Sequence, residues 1–156
     1  MMALGITGTA YGAWSDTLAI GATVNMGTIG AEVTCDGCSP AGIQCSVVGS
    51  NELELTVTCA EVEVAYSCGF NIENTGTIPV TVQQIIVTPV TPATLPEGVV
   101  VVVPAGVAGI PIDAGGVLPG VVQVSLTPEP PANPSEGTNF TFNVTFEFVP
   151  WNQYSP

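Results

Sequence analysis

The sequence predicts an all-β protein, a β-sandwich of about eight or nine short strands. Apolar residues make up 46% of the 156 residues and charged residues only 8%, so the chain has enough apolar surface to form a core. Eighteen glycines and fourteen prolines divide it into short segments. Within these segments apolar and polar residues alternate, and no window shows the spacing of an amphipathic helix. No stretch reaches about 18 apolar residues, so none is predicted to span a membrane.

The alternating segments follow one another along the chain, and each predicts a strand. In chain order they cover residues 18–24, 29–33, 52–59, 62–72, 80–87, 99–103, 122–126 and 139–149. The last segment is the clearest, because its four phenylalanines share one face with Val144 while Asn, Thr and Glu occupy the other. Burial of each phenylalanine contributes about 1.5–3 kcal/mol, so this strand is expected to anchor its sheet.

Three stretches predict features other than a regular, half-buried strand. The alternation slips at Gln83-Gln84, which indicates a β-bulge. The five valines of residues 99–103 are typical of a strand that is buried on both faces. The proline-rich stretch 127–135 predicts a surface loop.

The charge composition excludes many functions, since the chain has no Lys, Arg or His but 13 Asp and Glu, a formal net charge of −13. Cationic side chains are what bind nucleic-acid phosphates and anionic membrane surfaces. Histidine and lysine supply the usual general base, zinc ligand and Schiff-base nucleophile. We therefore expect no enzymatic activity, no cofactor, no metal, and no nucleic-acid or membrane partner. The carboxylates are scattered, and pairs such as Glu52 and Glu54 predict a solvated acidic face rather than a Ca²⁺ site.

Five cysteines, Cys35, Cys38, Cys45, Cys59 and Cys68, lie in the first half of the chain. In an oxidising compartment they predict a disulfide patch with one thiol left over, and about fifteen pairings are open. Cys59 and Cys68 both follow the inward phase of their segments, so a buried bridge between them is one option if the chain crosses between sheets near residues 60–65. The alternative is a zinc or iron–sulfur site at Cys35-Asp-Gly-Cys38, which lacks the second cysteine pair or the histidine that such sites use.

Two N-glycosylation sequons, Asn139-Phe-Thr and Asn143-Val-Thr, lie in the last predicted strand. Both asparagines belong to its polar face, so attached glycans would point to solvent. Asn and Thr are also suitable polar-face residues in any strand, and the sequence favours neither interpretation.

The first twelve residues form a slim apolar segment. Met2, Leu4 and Ile6 alternate with small or polar residues, and Gly8 and Ala10 continue the same face with little bulk. The segment lacks the positively charged start of an intact signal peptide. An extended segment of this kind either pairs within its own sheet or completes the sheet of a neighbour.

Several motifs occur in an order that resembles a known family: Tyr11-Gly-Ala-Trp-Ser-Asp-Thr17, Asn25-Met-Gly-Thr-Ile29, Phe70-Asn-Ile-Glu-Asn-Thr-Gly-Thr-Ile-Pro-Val80, and Phe140-Thr-Phe-Asn-Val-Thr-Phe146 followed by Trp151-Asn152. On these motifs the chain resembles the extracellular fibre proteins of the TasA/camelysin family and is especially similar to archaeal bundling pilins.

The resemblance implies a jelly-roll β-sandwich subunit that is secreted, cleaved and polymerised by donor-strand exchange. Residues 1–12 would be the donor strand and residues 13–156 the sandwich domain. The partners would be identical subunits, joined head to tail, with lateral contacts between filaments in a biofilm. The donor face would consist of Met2, Leu4, Ile6, Gly8 and Ala10. Camelysin-type members are described as proteases, but this chain has no histidine to hold a catalytic metal.

Two other functions stay open at this point. One is a discrete secreted binding module in which Cys35, Cys38 and Cys45 shape a ligand or metal loop. The other is the subunit of a jelly-roll capsid or surface layer. Electron microscopy separates all three, because it distinguishes fibres from single particles and from closed shells or lattices.

Acid or added salt should promote bundling of the expected filaments. Like charge keeps the copies apart, and protonation of the carboxylates removes that charge without leaving any positive charge behind. Turbidity of purified filaments, followed from neutral to acidic pH and with increasing NaCl, measures the effect. Turbidity that changes with neither condition would contradict the prediction.

Overall fold

The alternating segments of the chain form two antiparallel β-sheets that face each other. The computed structural model describes residues 27–58, 60–103, 105–127 and 137–155. The strands within these ranges are β1 (Glu32–Ser39), β2 (Ile43–Gly49), β3 (Glu52–Val57), β4 (Ala65–Glu73), β5 (Val80–Thr91), β6 (Val99–Val102), β7 (Pro111–Ile112), β8 (Val117–Leu126) and β9 (Phe140–Pro150). Two short 3₁₀ turns, Ala105–Val107 and Trp151–Gln153, are the helical elements of the described ranges, and neither could span a membrane.

Seven of the nine described strands follow the order of a jelly roll, which has eight strands, and two further strands are added at one side. The four-stranded sheet has the order β1-β4-β8-β6, and the five-stranded sheet has the order β2-β3-β9-β5-β7. From β3 to β9 successive strands alternate between the two sheets, and the last strand, β9, pairs with β3. Strands β1 and β2 extend the two sheets on the same side. The predicted β-sandwich is therefore confirmed.

The core lies between the sheets, and β9 supplies three of the four phenylalanines that are fully buried in it. Phe140, Phe142 and Phe146 are each at most 1% exposed, whereas Phe148, near the end of the strand, is only partly buried. The ring of Phe146 meets that of Phe70 from the opposite sheet, with 5.0 Å between the ring centroids. This contact joins β4 and β9, and the attraction between the two rings stabilises the core beyond the burial of their apolar surface.

Other predicted elements are confirmed or corrected at their ends. The register of β5 against β9 shifts between Val82 and Gln84, which is the predicted bulge. The chain does cross between sheets after β3, but Val62 and Glu63 form a turn in which Glu63 has a φ of 65°, so β4 begins at Ala65 rather than at residue 62. The strand predicted at residues 18–24 and almost all of the loop predicted at 127–135 lie outside the described residues.

The valine run is not buried on both faces, and this prediction is wrong. Val100 and Val102 are 40% and 49% exposed. The reason is that the described residues form two layers, so the outer face of β6, which carries these two side chains, has no third layer of described residues over it. The sequence of a strand shows that its side chains are apolar, but whether another layer covers them depends on the topology of the fold.

A buried asparagine, Asn74, ties together the end of the sandwich where β4 finishes. Its side chain is 0% exposed, and its Nδ2 atom donates hydrogen bonds to the carbonyl oxygens of Ile78 (2.9 Å) and Ile112 (2.8 Å). Its Oδ1 atom accepts from the backbone N–H of Gly76 at 2.9 Å, and its own backbone groups pair with Gly115 and Gly116. One amide thus joins the turn after β4, the short strand β7 and the turn that precedes β8.

Replacement of Asn74 by alanine should lower the free energy of unfolding by about 3 kcal/mol, because it leaves buried backbone carbonyls without donors. Chemical denaturation monitored by circular dichroism measures this value. The matched control is Asn71→Ala on the neighbouring outer face of β4, which we expect to change stability by less than about 0.5 kcal/mol. Equal effects of the two substitutions would show that the Asn74 amide has no special structural role.

Candidate functional site

The edge of β8 is only partly paired. On one side β4 pairs with it from Val117 to Ser125. On the other side β6 pairs with it only from Gln123 to Leu126. From Val117 to Val122, no strand of the described part of the chain occupies that second side. A strand edge of this kind presents backbone N–H and C=O groups that another strand can use.

The five-stranded sheet has a similar vacancy next to it. Strand β5 pairs with β9 along its length, but on its other side β7 pairs only with Val80 and Thr81, followed by one bridge between Val82 and Ala108. Beyond that bridge, within the described ranges, no strand lies along this edge from Gln83 to Thr91. Because β1 and β2 adjoin each other at one margin, both vacant edges lie at the opposite margin. We call this margin, formed by β5, β6 and β8, the open side.

The open side is rich in exposed apolar side chains. The described residues include ten large hydrophobic side chains that are substantially exposed, and six of them belong to β5, β6, β8 or the connection before β7. These six are Val90, Val100, Val102, Ile110, Val117 and Val121, with exposed fractions between 40% and 55%. Ile85 and Leu118, which pack against the core from the two sheets, are also only partly buried. A concentration of exposed apolar side chains is typical of interaction surfaces.

The open side also carries no charged side chain on its three strands. Strands β5, β6 and β8 contain no Asp or Glu, whereas β1, β3, β4 and β9 all do. The nearest acidic residues in sequence are Glu97, before β6, and Asp113 and Glu129, before and after β8. Since every charged side chain of this protein is negative, a second copy meets the least repulsion at this side.

The opposite margin is closed by two disulfides. Cys35 of β1 is bonded to Cys45 of β2, which joins the two sheets covalently. Cys38 of β1 is bonded to Cys68 of β4, its direct partner in the ladder. We call this margin the disulfide margin. It differs from the open side because its edge strand β1 is covalently bonded to β2 and β4, whereas no disulfide of the described residues joins β5, β6 or β8.

These bonds correct one expectation about the cysteines and confirm another. The predicted disulfide patch is present and includes four of the five cysteines, but Cys68 pairs with Cys38 and not with Cys59. Inward phase alone suggested Cys59, whereas the pairing of β1 with β4 places Cys38 opposite Cys68. Cys59 itself lies outside the described residues. Because Cys35, Cys38 and Cys45 are all in disulfides, none of them has a thiolate to offer a metal.

A cavity of about 490 Å³ lies between the turn that joins β1 to β2 and the connection from β3 to β4. Its lining consists of Pro40, Ala41, Gly42, Thr58, Glu61, Val64 and Tyr66. The hydroxyl oxygen of Tyr66 accepts a hydrogen bond from the backbone N–H of Glu61 at 3.0 Å, which fixes the ring at the cavity wall. The arrangement is a mostly apolar hollow with one carboxylate, and among the described residues no cluster of Cys, Asp or Glu has the arrangement of a metal site.

The remaining predicted site residues fall in two places. The donor face, Met2, Leu4, Ile6, Gly8 and Ala10, lies outside the described residues. Of the two sequon asparagines, Asn139 is exposed just before β9, and Asn143 lies within β9 between β3 and β5.

Sequence reasoning missed the open side. Residues 117–121 were not expected to form part of a strand, because Pro119 and Gly120 interrupt the alternation. Gly120 is required there, since a Cβ atom at this position would overlap the ring of Phe70. One available signal is that both Pro89 and Pro119 occur within strands, and proline within a strand is typical of an edge.

Digestion of the unreduced protein with a Glu-specific protease should establish the disulfides. Cleavage after Glu32, Glu52, Glu63 and Glu73 should give peptide 33–52 linked to peptide 64–73 through Cys38 and Cys68, with the Cys35–Cys45 bond internal to the first. Mass spectrometry before and after reduction measures this. A link between peptides 55–61 and 64–73 would instead show a Cys59–Cys68 bond and contradict the structure.

Comparison with known proteins gives no relative for this chain. No protein-family model, no curated protein and no solved structure matches it. Its function is therefore inferred from its own edges, charges and cysteines.

Proposed function

We propose that the protein is the structural subunit of an extracellular filament, in which residues 1–12 of one copy add as a strand to the open side of the next copy. The observation that carries the proposal is the coincidence, at one margin of the described structure, of two partly unpaired strand edges, exposed apolar side chains and strands without carboxylates. We do not assign it an enzymatic activity.

Strand addition suits a chain without cations. In this binding mode backbone hydrogen bonds supply the affinity and alternate side chains enter the space between the sheets, so no ion pair is needed. Met2, Leu4 and Ile6 share the phase that would enter this space, next to the partly buried Ile85 and Leu118. Gly8 and Ala10 continue that face with little bulk.

The lengths of the two partners are compatible. At about 3.3 Å per residue, the vacant edge of β8 is about 20 Å long and that of β5 about 30 Å. Twelve extended residues reach about 40 Å, which is long enough to follow either edge. A contact between the start of one copy and the far side of the next is heterologous, and repeated contacts of that kind give a fibre when they do not close into a ring.

The disulfides support secretion. Two disulfides are typical of proteins that fold in oxidising compartments, outside the cytosol. In a chain that cannot form side-chain salt bridges, they also replace a part of the missing surface stabilisation.

A second candidate function is a discrete secreted binding module. The cavity of about 490 Å³ lined by Tyr66 and Glu61 favours it, because a mostly apolar hollow with a few polar residues is typical of small-molecule sites. The metal-loop version of this idea is not supported, since Cys35, Cys38 and Cys45 are in disulfides. Negative-stain microscopy of native material separates the two functions: fibres support the filament subunit, and single particles support the binding module.

The substitution Leu4→Glu should abolish filaments, because it places a charge on the face of the segment that would enter the apolar space between the sheets. The matched control is Ala3→Glu, which adds the same charge to the opposite face and should leave filaments intact. Electron microscopy and size-exclusion chromatography measure both. If the Leu4→Glu protein polymerised as well as the Ala3→Glu protein, the donor role of this segment would be refuted.

A chain that lacks residues 1–12 should be a soluble monomer, and a synthetic peptide of residues 1–12 should bind to it. Hydrogen exchange should then slow at Val117–Val122 or at Gln83–Thr91, the two vacant edges, and not at β1 or β2. The Leu4→Glu peptide serves as the control and should give no protection. Filaments that persist after the deletion, or protection at the disulfide margin, would overturn the proposed arrangement.

A further inference from the structure

The two sequons of β9 have different structural environments, although they are equivalent in sequence. In N-glycosylation the Asn side-chain nitrogen is the acceptor atom, and the hydroxyl residue two positions later is part of the recognised motif. For the first sequon these groups belong to Asn139 and Thr141, and for the second to Asn143 and Thr145. The question is which of the two motifs a transferase can reach on the folded subunit.

Asn143 is held inside the sheet. It lies opposite Glu54 of β3 and Thr88 of β5, so its backbone is paired on both sides. Its Nδ2 atom donates a hydrogen bond to the Oε1 atom of Glu52, and its Oδ1 atom is buried. The acceptor nitrogen is therefore already engaged with a carboxylate, and the amide has little room to turn.

Asn139 has an exposed side chain and lies one residue before β9 begins. It follows Gly137 and Thr138, which are anchored to Ala60 by two backbone hydrogen bonds of 2.7 and 3.0 Å. Its backbone position is thus well defined, and it precedes the first residue of β9. An exposed asparagine at the end of a strand is accessible without any change in the core.

Local unfolding that would present a motif to an enzyme requires less free energy for the first sequon than for the second. Opening β9 from its start through Thr141 breaks the pairing of two residues, 140 and 141, and exposes one core side chain, Phe140. Opening through Thr145 breaks the pairing of six residues, 140–145, and exposes Phe142 and Val144 as well. Strand ends open far more often than strand centres, so the first motif is the one that becomes available.

We propose that Asn139 carries an N-linked oligosaccharide and that Asn143 does not, the latter acting as an internal amide that joins β9 to β3. The donor would be an oligosaccharide linked to a lipid diphosphate, presented by a membrane transferase. The Asn139 Nδ2–C1 bond forms while the bond from the sugar C1 to the diphosphate oxygen breaks. One amide proton goes to a base of the transferase, and the lipid diphosphate leaves. The inference does not depend on filament formation.

Peptide mapping of protein purified from its native source tests the proposal. A Glu-specific protease cleaves after Glu136 and Glu147, so peptide 137–147 contains both asparagines and no others. Fragmentation that preserves the glycan should place one glycan on Asn139 and leave Asn143 bare. An unmodified peptide, two glycans, or a glycan on Asn143 would each overturn the proposal.

Variants expressed in the same host give an independent test on the intact mass. Asn139→Gln and Thr141→Val should lose the whole added mass, since the first removes the acceptor and the second removes the hydroxyl. Asn143→Gln should keep it, as should Thr141→Ser, which retains the hydroxyl and controls for disturbance of the strand. Loss of the added mass in Asn143→Gln, with Asn139→Gln unaffected, would reverse the assignment.

Discussion

The absence of every cationic side chain is the constraint on which this structure depends. Thirteen carboxylates repel one another, so the fold relies on uncharged interactions: an aromatic and aliphatic layer between two sheets, backbone ladders, two disulfides and the buried amide of Asn74. The same constraint governs association, because two identical copies can approach closely only where neither presents a carboxylate. The charge-free strands β5, β6 and β8 meet that condition, and each of them has an edge that is wholly or partly unpaired among the described residues.

The two margins of the sandwich have opposite properties. At the disulfide margin, β1 is covalently bonded to β2 of the other sheet and to β4 of its own. At the open side, β6 and β7 each cover only part of the neighbouring edge. The covalent bonds thus join the sheets at one margin, whereas at the other margin parts of two strand edges are unpaired among the described residues. The cysteines of the disulfide margin lie early in the chain, and the apolar edge strands of the open side lie later in it.

The elements that were predicted correctly are those whose pattern is local. The alternation in β9 specifies both its face and its burial, and the slip at Gln83-Gln84 specifies a bulge, since each depends only on neighbouring residues. The valine run and the Cys68 partner were mispredicted because they depend on the arrangement of distant strands. Val100 is exposed since it lies on the outer face of a two-layer sandwich, and Cys68 meets Cys38 since β1 pairs with β4. The donor role of residues 1–12 rests on the sequence alone and stays a prediction.

The position of the two disulfides has a mechanical consequence for a filament of this design. Tension along the fibre would enter each subunit through the chain that leads from its donor segment into β1. Cys35 and Cys38 join β1 covalently to β2 of the other sheet and to β4 of its own sheet. The tension would therefore act on covalent bonds, and β1 could not separate by breaking its hydrogen bonds one after another. Under load the weakest element would then be the joint between subunits, so a stretched fibre would part into intact beads.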